Sequence, residues 1–172
     1  MIVKRKKKKI CLADNVQIII SIGDQKLYLC KKGKIIKIYR VSTSKYGIGN
    51  KNNSFKTPLG KHLISSKVGR KARLNSIFKD RRNTRKIARI GSDFDKDLIT
   101  TRILRLKGLE PGENKGKGID SFDRCIYIHG TAEEHLIGKP ASHGCIRMRN
   151  KDIAELFNLV PRGTLVDIKN LD

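Results

Sequence analysis

Val16-Gln17-Ile18-Ile19-Ile20-Ser21-Ile22, a Gly23-Asp24 turn, and Lys26-Leu27-Tyr28-Leu29-Cys30 form the stretch whose reading decides the fold. Two short runs rich in β-branched and aromatic residues flank turn-forming residues, which is the pattern of a β-hairpin. Lys32-Gly33 then leads into Lys34-Ile35-Ile36-Lys37-Ile38-Tyr39-Arg40-Val41, so residues 16 to 43 read as a three-stranded β-meander. In this third run apolar residues fall on even and odd positions alike, which predicts a strand buried on both faces for part of its length.

Working outward, Ser42 to Ser66 shifts to Gly, Ser, Asn and Pro, a long loop that ends in a short strand, His62 to Ser65. Residues 67 to 95 carry a basic run with scattered apolar positions and read as a solvated insertion. Strand character resumes at Ile99 to Leu106. After a loop marked by Gly108, Pro111, Gly112, Gly116 and Gly118 it returns at Cys125-Ile126-Tyr127-Ile128, which runs into His129-Gly130. Ile153, Leu156, Phe157 and Val160 follow helical spacing, with Asn150 as the expected N-cap and Pro161 as the stop. Thr164-Leu165-Val166-Asp167-Ile168 closes as a strand. The expectation is one mainly β domain over 16–172 with a single clear helix near its C-terminus and short additional helices, preceded by a basic extension over 1–15.

The 172 residues are enough for one core but not for a second catalytic domain. The net charge is +23, and two segments hold most of it: Lys4 to Lys9 and Lys67 to Arg89. Such a charge predicts non-specific attraction to polyanions. A dedicated nucleic-acid module is disfavoured by 5% aromatic residues and the lack of a recognised motif. No run of the chain approaches the roughly 18 apolar residues of a transmembrane helix. The apolar stretch after Lys9 is too short for a signal peptide, so export is not written in the chain as it stands. Cys11, Cys30, Cys125 and Cys145 are too widely spaced for a paired metal motif or a dense disulfide framework, which leaves their redox state open.

Three of the four histidines and two of the four cysteines fall between Cys125 and Cys145, densest in Ser142-His143-Gly144-Cys145-Ile146-Arg147-Met148. A cysteine nucleophile needs a base, a group that orients the base, and backbone N–H donors for the developing oxyanion. Gly144 lets the backbone turn tightly beside Cys145. His129, leaving a strand, is the natural base, while His143 would share the face of Cys145 in an extended segment; spacing alone does not choose between them. Cys125, His129, His135, His143 and Cys145 could also supply zinc ligands, but their irregular spacing favours catalysis, and no metal or cofactor is expected.

His129-Gly130-Thr131 and Ser142-His143-Gly144-Cys145-Ile146-Arg147-Met148, with twelve residues between His129 and Ser142, resemble the active-site signature of the L,D-transpeptidase (YkuD) catalytic domain. The resemblance extends through Gln25 to Leu29, Val41-Ser42-Thr43, Thr57-Pro58-Leu59-Gly60 and Gly108 to Gly112, and is weakest in the basic insertion. It implies a sandwich-like set of mixed sheets with the cysteine at the rim of a cleft. It also implies peptidoglycan stem peptides as partners: Cys145 attacks the third-residue carbonyl of a tetrapeptide, expels D-alanine and forms a thioester, which a side-chain amine of another stem then takes up. In that scheme His129 is the base and acid, His143 supports it, and the backbone around Gly144 lines the oxyanion site. Gly130, Thr131, Ser142 and Arg147 contact substrate, with Arg147 bound to a stem carboxylate. A hydrolase on the same fold and a basic polyanion-binding protein with an idle site are the other readings. The activity implies the cell envelope, where peptidoglycan lies.

Overall fold

The computed structural model describes residues 15–91 and 97–171. The expected extension over 1–15, with the Lys4 to Lys9 run and Cys11, lies almost wholly outside the described residues, as does the end of the 67–95 insertion. Ten strands form one sheet: β1 (Gln17–Ser21), β2 (Lys26–Lys31), β3 (Lys34–Ser42), β4 (Gly60–Val68), β5 (Ser76–Lys79), β6 (Arg82–Ile87), β7 (Ile99–Gly108), β8 (Tyr127–Gly130), β9 (Ile146–Met148) and β10 (Leu165–Lys169). Among the described residues they are joined by one short 3-10 turn, Glu134–Leu136, and one helix, α1 (Asn150–Leu159). The strand order is β4-β10-β1-β2-β3-β9-β8-β7-β5-β6, and β4 also pairs with β7. That extra pairing closes eight strands on themselves into a barrel-like, sandwich-like body, and β5–β6 extends from β7. Among the described strands only the pairs β1–β10 and β8–β9 are parallel.

The meander forms as read, β1 antiparallel to β2 and β2 to β3. Side chains alternate across a strand, and the inward set makes one core: Ile18, Ile20, Leu27, Leu29, Val41, Ile64, Leu104, Leu106, Ile128, Ile146, Met148, Val166 and Ile168. Ile153, Leu156 and Phe157 of α1 join it. The expectation for β3 fails in its first half: Ile35, Ile36 and Ile38 are 40%, 49% and 56% exposed. The reason is pairing. β9 reaches only Val41 and Ser42, so Lys34 to Ile38 has β2 alone beside it, and burial begins at Tyr39.

Helix α1 begins one residue earlier than the capping pattern predicts. Arg149 holds the cap position, and Asn150 lies inside the helix with its side chain used elsewhere. Its Oδ1 accepts from the hydroxyls of Thr100 and Thr101 at 2.6 and 2.5 Å. Its Nδ2 donates to the Thr131 carbonyl at 2.8 Å, and Glu134 Oε1 accepts the free Asn150 backbone N–H at 2.8 Å. One amide thus ties β7, the end of β8 and the start of α1 together.

Within the basic segment, β5 and β6 make a hairpin whose turn residues, Asp80 and Arg81, both have positive φ, as a tight primed turn requires. β6 is almost wholly exposed. Phe78 of β5 is buried, and packs with Ile103 and Tyr127 on the outer face of the sheet. At the end of β7 the sheet leaves no room for a side chain: a Cβ on Gly108 would lie 1.9 Å from the Asn114 carbonyl oxygen. Gly108→Ala is therefore expected to destabilise the domain by about 1–3 kcal/mol, because backbone rather than a flexible side chain must yield. Chemical unfolding checks this, and an unchanged midpoint would contradict it.

Candidate active site

The register of the parallel pair β8–β9 assembles the site. Ile128 lies opposite Ile146 and His129 opposite Arg147. Ile128, Ile146 and Met148 face the core, so the alternate positions Tyr127, His129, Cys145 and Arg147 share the outer face. Cys145 lies one step before β9, beside Tyr127 and diagonal to His129.

The segment before β9 is held by its own hydroxyls. Ser142 Oγ donates to the Cys145 carbonyl at 2.5 Å and accepts the Gly144 N–H at 3.2 Å. The Ser142 N–H bonds the Thr43 carbonyl, and Thr57 Oγ1 donates to the Gly144 carbonyl at 3.0 Å. Gly144 has φ +118°, a conformation that L side chains rarely adopt. The glycine is therefore required by the turn that presents Cys145. Its amide is engaged inside that turn, which leaves the N–H groups of His143 and Cys145 as the candidate oxyanion donors.

Cys145 Sγ accepts the Tyr127 N–H at 3.4 Å and donates to the Cys125 carbonyl at 3.4 Å. Burial pushes its pKa up to about 12, and the Tyr127 amide offsets only part of that. The resting sulfur is thus a neutral thiol rather than a stored thiolate, and its reaction requires a base at the moment of attack.

His129 is buried, and its Nδ1 lies 2.7 Å from the Gly130 carbonyl oxygen. A carbonyl only accepts, so Nδ1 carries the hydrogen and Nε2 presents a bare lone pair. Burial lowers the pKa of the ring, and the Asp97 charge opposes that only in part. A neutral imidazole with a free Nε2 is what a base on this face needs. Gly130 itself lies against β7 and Asn150, where a Cβ would come within 2.6 Å of Asn150 Oδ1. Thr131 is buried, and its Oγ1 accepts the Glu133 N–H at 3.1 Å.

Arg147 is an interior side chain, 2% exposed. Nη1 meets Glu133 Oε2 at 2.9 Å and Nη2 meets Asp97 Oδ1 at 2.5 Å. The fork that the sequence reading gave to a stem carboxylate is filled by two carboxylates of the chain itself. Asp97 Oδ2 also lies 2.6 Å from His143 Nδ1. Burial works against the Asp97 carboxylate, but His129, Arg147 and the hydrogen bonds from His143 and Arg147 outweigh it and hold its pKa below the usual value. His143, 38% exposed, stands at the mouth with Tyr46 and Phe55, whose ring centroids lie 5.7 and 6.0 Å from its own.

Asp97, Glu133 and Asn150 belong to this centre, and residue spacing did not single them out. Cys125, placed in the zinc alternative, has positive φ, and Arg81 of the basic hairpin reaches its Sγ at 3.9 Å and the Tyr127 hydroxyl at 3.1 Å. Cys30 is disulfide-bonded, whereas Cys125 and Cys145 are free thiols. Among the described residues no group of three or more His, Cys, Asp or Glu is placed to hold a metal ion. An open groove of about 830 Å³ lies over β4 and β7, lined by Ser65, Ser66, Arg105, Lys107, Phe122 and Arg162 among others, and includes none of the residues around Cys145.

The buried histidines make stability depend on pH. His62, bonded to Ser121 Oγ and Gly60 O, is shifted downward by burial like His129. Above the unfolded imidazole value of about 6.5 neither state binds these protons and stability is full. As pH falls through 6.5 the unfolded chain takes up protons that the folded one refuses, so stability falls by up to about 1.4 kcal/mol per pH unit per histidine. Urea unfolding at pH 7.5 and 5.5 should show this loss, and His129→Gln should reduce the slope. Equal slopes in the two proteins would contradict it.

The sequence matches the YkuD L,D-transpeptidase catalytic domain family over residues 15–168. It is similar to the putative L,D-transpeptidase YkuD of Bacillus subtilis, 58% identical over 41 residues, which are 24% of this chain and 25% of that protein. The probable L,D-transpeptidase YcfS of Escherichia coli is 28% identical over 155 residues, 89% of this chain and 43% of that protein. The chain thus spans less than half the length of these curated relatives. Among solved structures, an L,D-transpeptidase from Mycobacterium smegmatis superposes with a TM-score of 0.55 at 14% identity, covering 90% of this chain and 58% of its own. One from Xylanimonas cellulosilytica gives 0.54 at 16%, over 92% and 62%. With a match over nearly its whole length, and with the fold these structures share, the chain belongs to the YkuD family of L,D-transpeptidase catalytic domains.

Proposed function

We propose that the protein is a cysteine-dependent acyltransferase that cross-links peptidoglycan stem peptides through a thioester on Cys145. The observation that carries the reading is the shared outer face of β8 and β9. There a thiol without stored charge lies diagonal to an imidazole whose Nδ1 is committed to a carbonyl and whose Nε2 is bare. His129 takes the thiol proton as sulfur attacks the third-residue carbonyl of a tetrapeptide, then gives it to the departing D-alanine amine. The amides of His143 and Cys145 receive the oxyanion, in a turn that Ser142 and Gly144 shape. Arg147 acts from within by holding Asp97 and Glu133 in place, while Gly130 and Thr131 set the end of β8. The substrate places the reaction in the cell envelope. Among the described residues no helix is long and apolar enough to cross a membrane.

Incubation with disaccharide-tetrapeptide fragments, followed by mass spectrometry, tests the reading. Cross-linked dimer with free D-alanine is the expected result. Tripeptide and D-alanine without dimer would make the protein an L,D-carboxypeptidase using the same thioester. Fragments returned intact by folded protein would overturn both.

A further inference from the structure

Two imidazoles stand at this site in different surroundings, and transfer to an amine has two protons to move. An acceptor amine arrives as an ammonium, since such groups titrate near 10.4. It must lose one proton before its lone pair can attack. After attack the nitrogen carries a second surplus proton, the C–S bond breaks, and that proton returns to the departing sulfur to regenerate the thiol. The second proton stays within the site, and buried His129 is placed to carry it. The first has to leave the protein, and a fully buried ring has no route for it to water.

We propose that His143 takes this first proton from the acceptor amine and passes it to solvent, and that Asp97 is the positioning residue that makes it able to do so. The inference rests on the thioester reading of Cys145. His143 is two residues from Cys145 and partly exposed, so it is near the reacting sulfur in the chain and open to water. Asp97 lies 2.6 Å from its Nδ1, and a carboxylate only accepts. Nδ1 therefore carries the hydrogen, and Nε2 is left bare to accept one. Asp97 is itself fixed by Arg147 at 2.5 Å, which Glu133 holds from the other side, while Tyr46 and Phe55 flank the ring. The charged and titratable groups facing this pair are thus His129 on β8, Arg147 on β9, and Glu133 behind it.

Asp97→Asn tests the role through the tautomer. Its carbonyl can keep Arg147, but its amide then donates to Nδ1, which forces the hydrogen onto Nε2 and removes the acceptor. Thioester formation from a disaccharide-tetrapeptide, followed by intact-protein mass, uses His129 and Cys145, on both of which the Asp97 charge acts, so its rate in each variant is the reference by which the transfer rates are divided. Transfer to a disaccharide-tripeptide acceptor should fall by about tenfold to a hundredfold, the usual contribution of one general base. Transfer to hydroxylamine, which arrives uncharged at neutral pH, should fall no further than thioester formation does. His143→Gln, which leaves the Asp97–Arg147 pair intact, should behave the same way, and the double variant should be no worse than either single one. Equal losses with both acceptors, or no loss with either, would overturn the proposal. Slowed thioester formation in His143→Gln would also overturn it, by making His143 part of the first half-reaction. If the unmutated protein never forms the thioester, the reading of Cys145 fails, and this proposal falls with it.

Discussion

Cys145→Ala is expected to abolish both release of D-alanine and cross-linking, a loss of at least about 10⁴-fold, because no other group on the outer face of β8–β9 can form the acyl intermediate. Folding should be nearly untouched. Cys145 packs at the edge of the small outer cluster of Phe78, Ile103 and Tyr127, and its sulfur makes two long contacts at 3.4 Å. The neighbouring free thiol, Cys125, offers no bypass. It lies on the approach to β8 under Arg81, and not in the Gly144 turn that the oxyanion donors share. Cys125→Ala should therefore retain transfer. The raised thiol pKa adds a second readout: alkylation of Cys145 by iodoacetamide should be slow at pH 7 and should accelerate toward alkaline pH. Fast, pH-independent alkylation near neutrality would mean a stored thiolate and would contradict the neutral-pair account. An active Cys145→Ala protein would remove the nucleophile assignment altogether.

Much of the candidate centre is legible in the sequence, and what is not shares one cause. Reactive residues concentrated between Cys125 and Cys145 mark the site because Gly144, Cys145 and Ser142 act through local geometry, within one turn of chain. The β-meander was legible for the same reason: hairpins pair neighbours in sequence. Asp97 was not, because it meets His143 across 46 residues and in sequence lies beside Asp93 and Asp95, where it looks like any solvated charge at the end of a basic insertion. Glu133, in the loop after β8, and Arg147, at the middle of β9, are 14 residues apart, and their pairing follows only once β8 and β9 lie parallel. The exposed isoleucines of β3 show the converse. Apolar content predicted burial, but burial depends on what lies alongside, and β9 is three residues long. Asn150 fits a capping pattern by type and position, yet Thr100, Thr101 and Thr131 compete for its amide and win.

Arg147→Met should cost about 3–5 kcal/mol of stability, the range for breaking a buried ion pair from one side. Glu133 and Asp97 would keep their carboxylates and lose the guanidinium that joins them, and Glu133 is held in the interior with little access to water. Methionine fills much of the arginine volume, so the loss is chiefly electrostatic and not a cavity effect. For a chain of this length the unfolding temperature should fall by about 10 °C. The alternative role, a fork that binds a stem carboxylate, predicts something different: near-normal stability and a raised KM. The two are separated by a rescue. Arg147→Met combined with Glu133→Gln removes one of the two carboxylate charges that the guanidinium offset and should recover part of the lost stability, whereas it would do nothing for a lost substrate contact. Unchanged stability in Arg147→Met with a higher KM would return the guanidinium to the substrate. A large fall in stability, relieved by the second substitution, would establish Arg147 as the internal brace on which Asp97, and through it His143, depends.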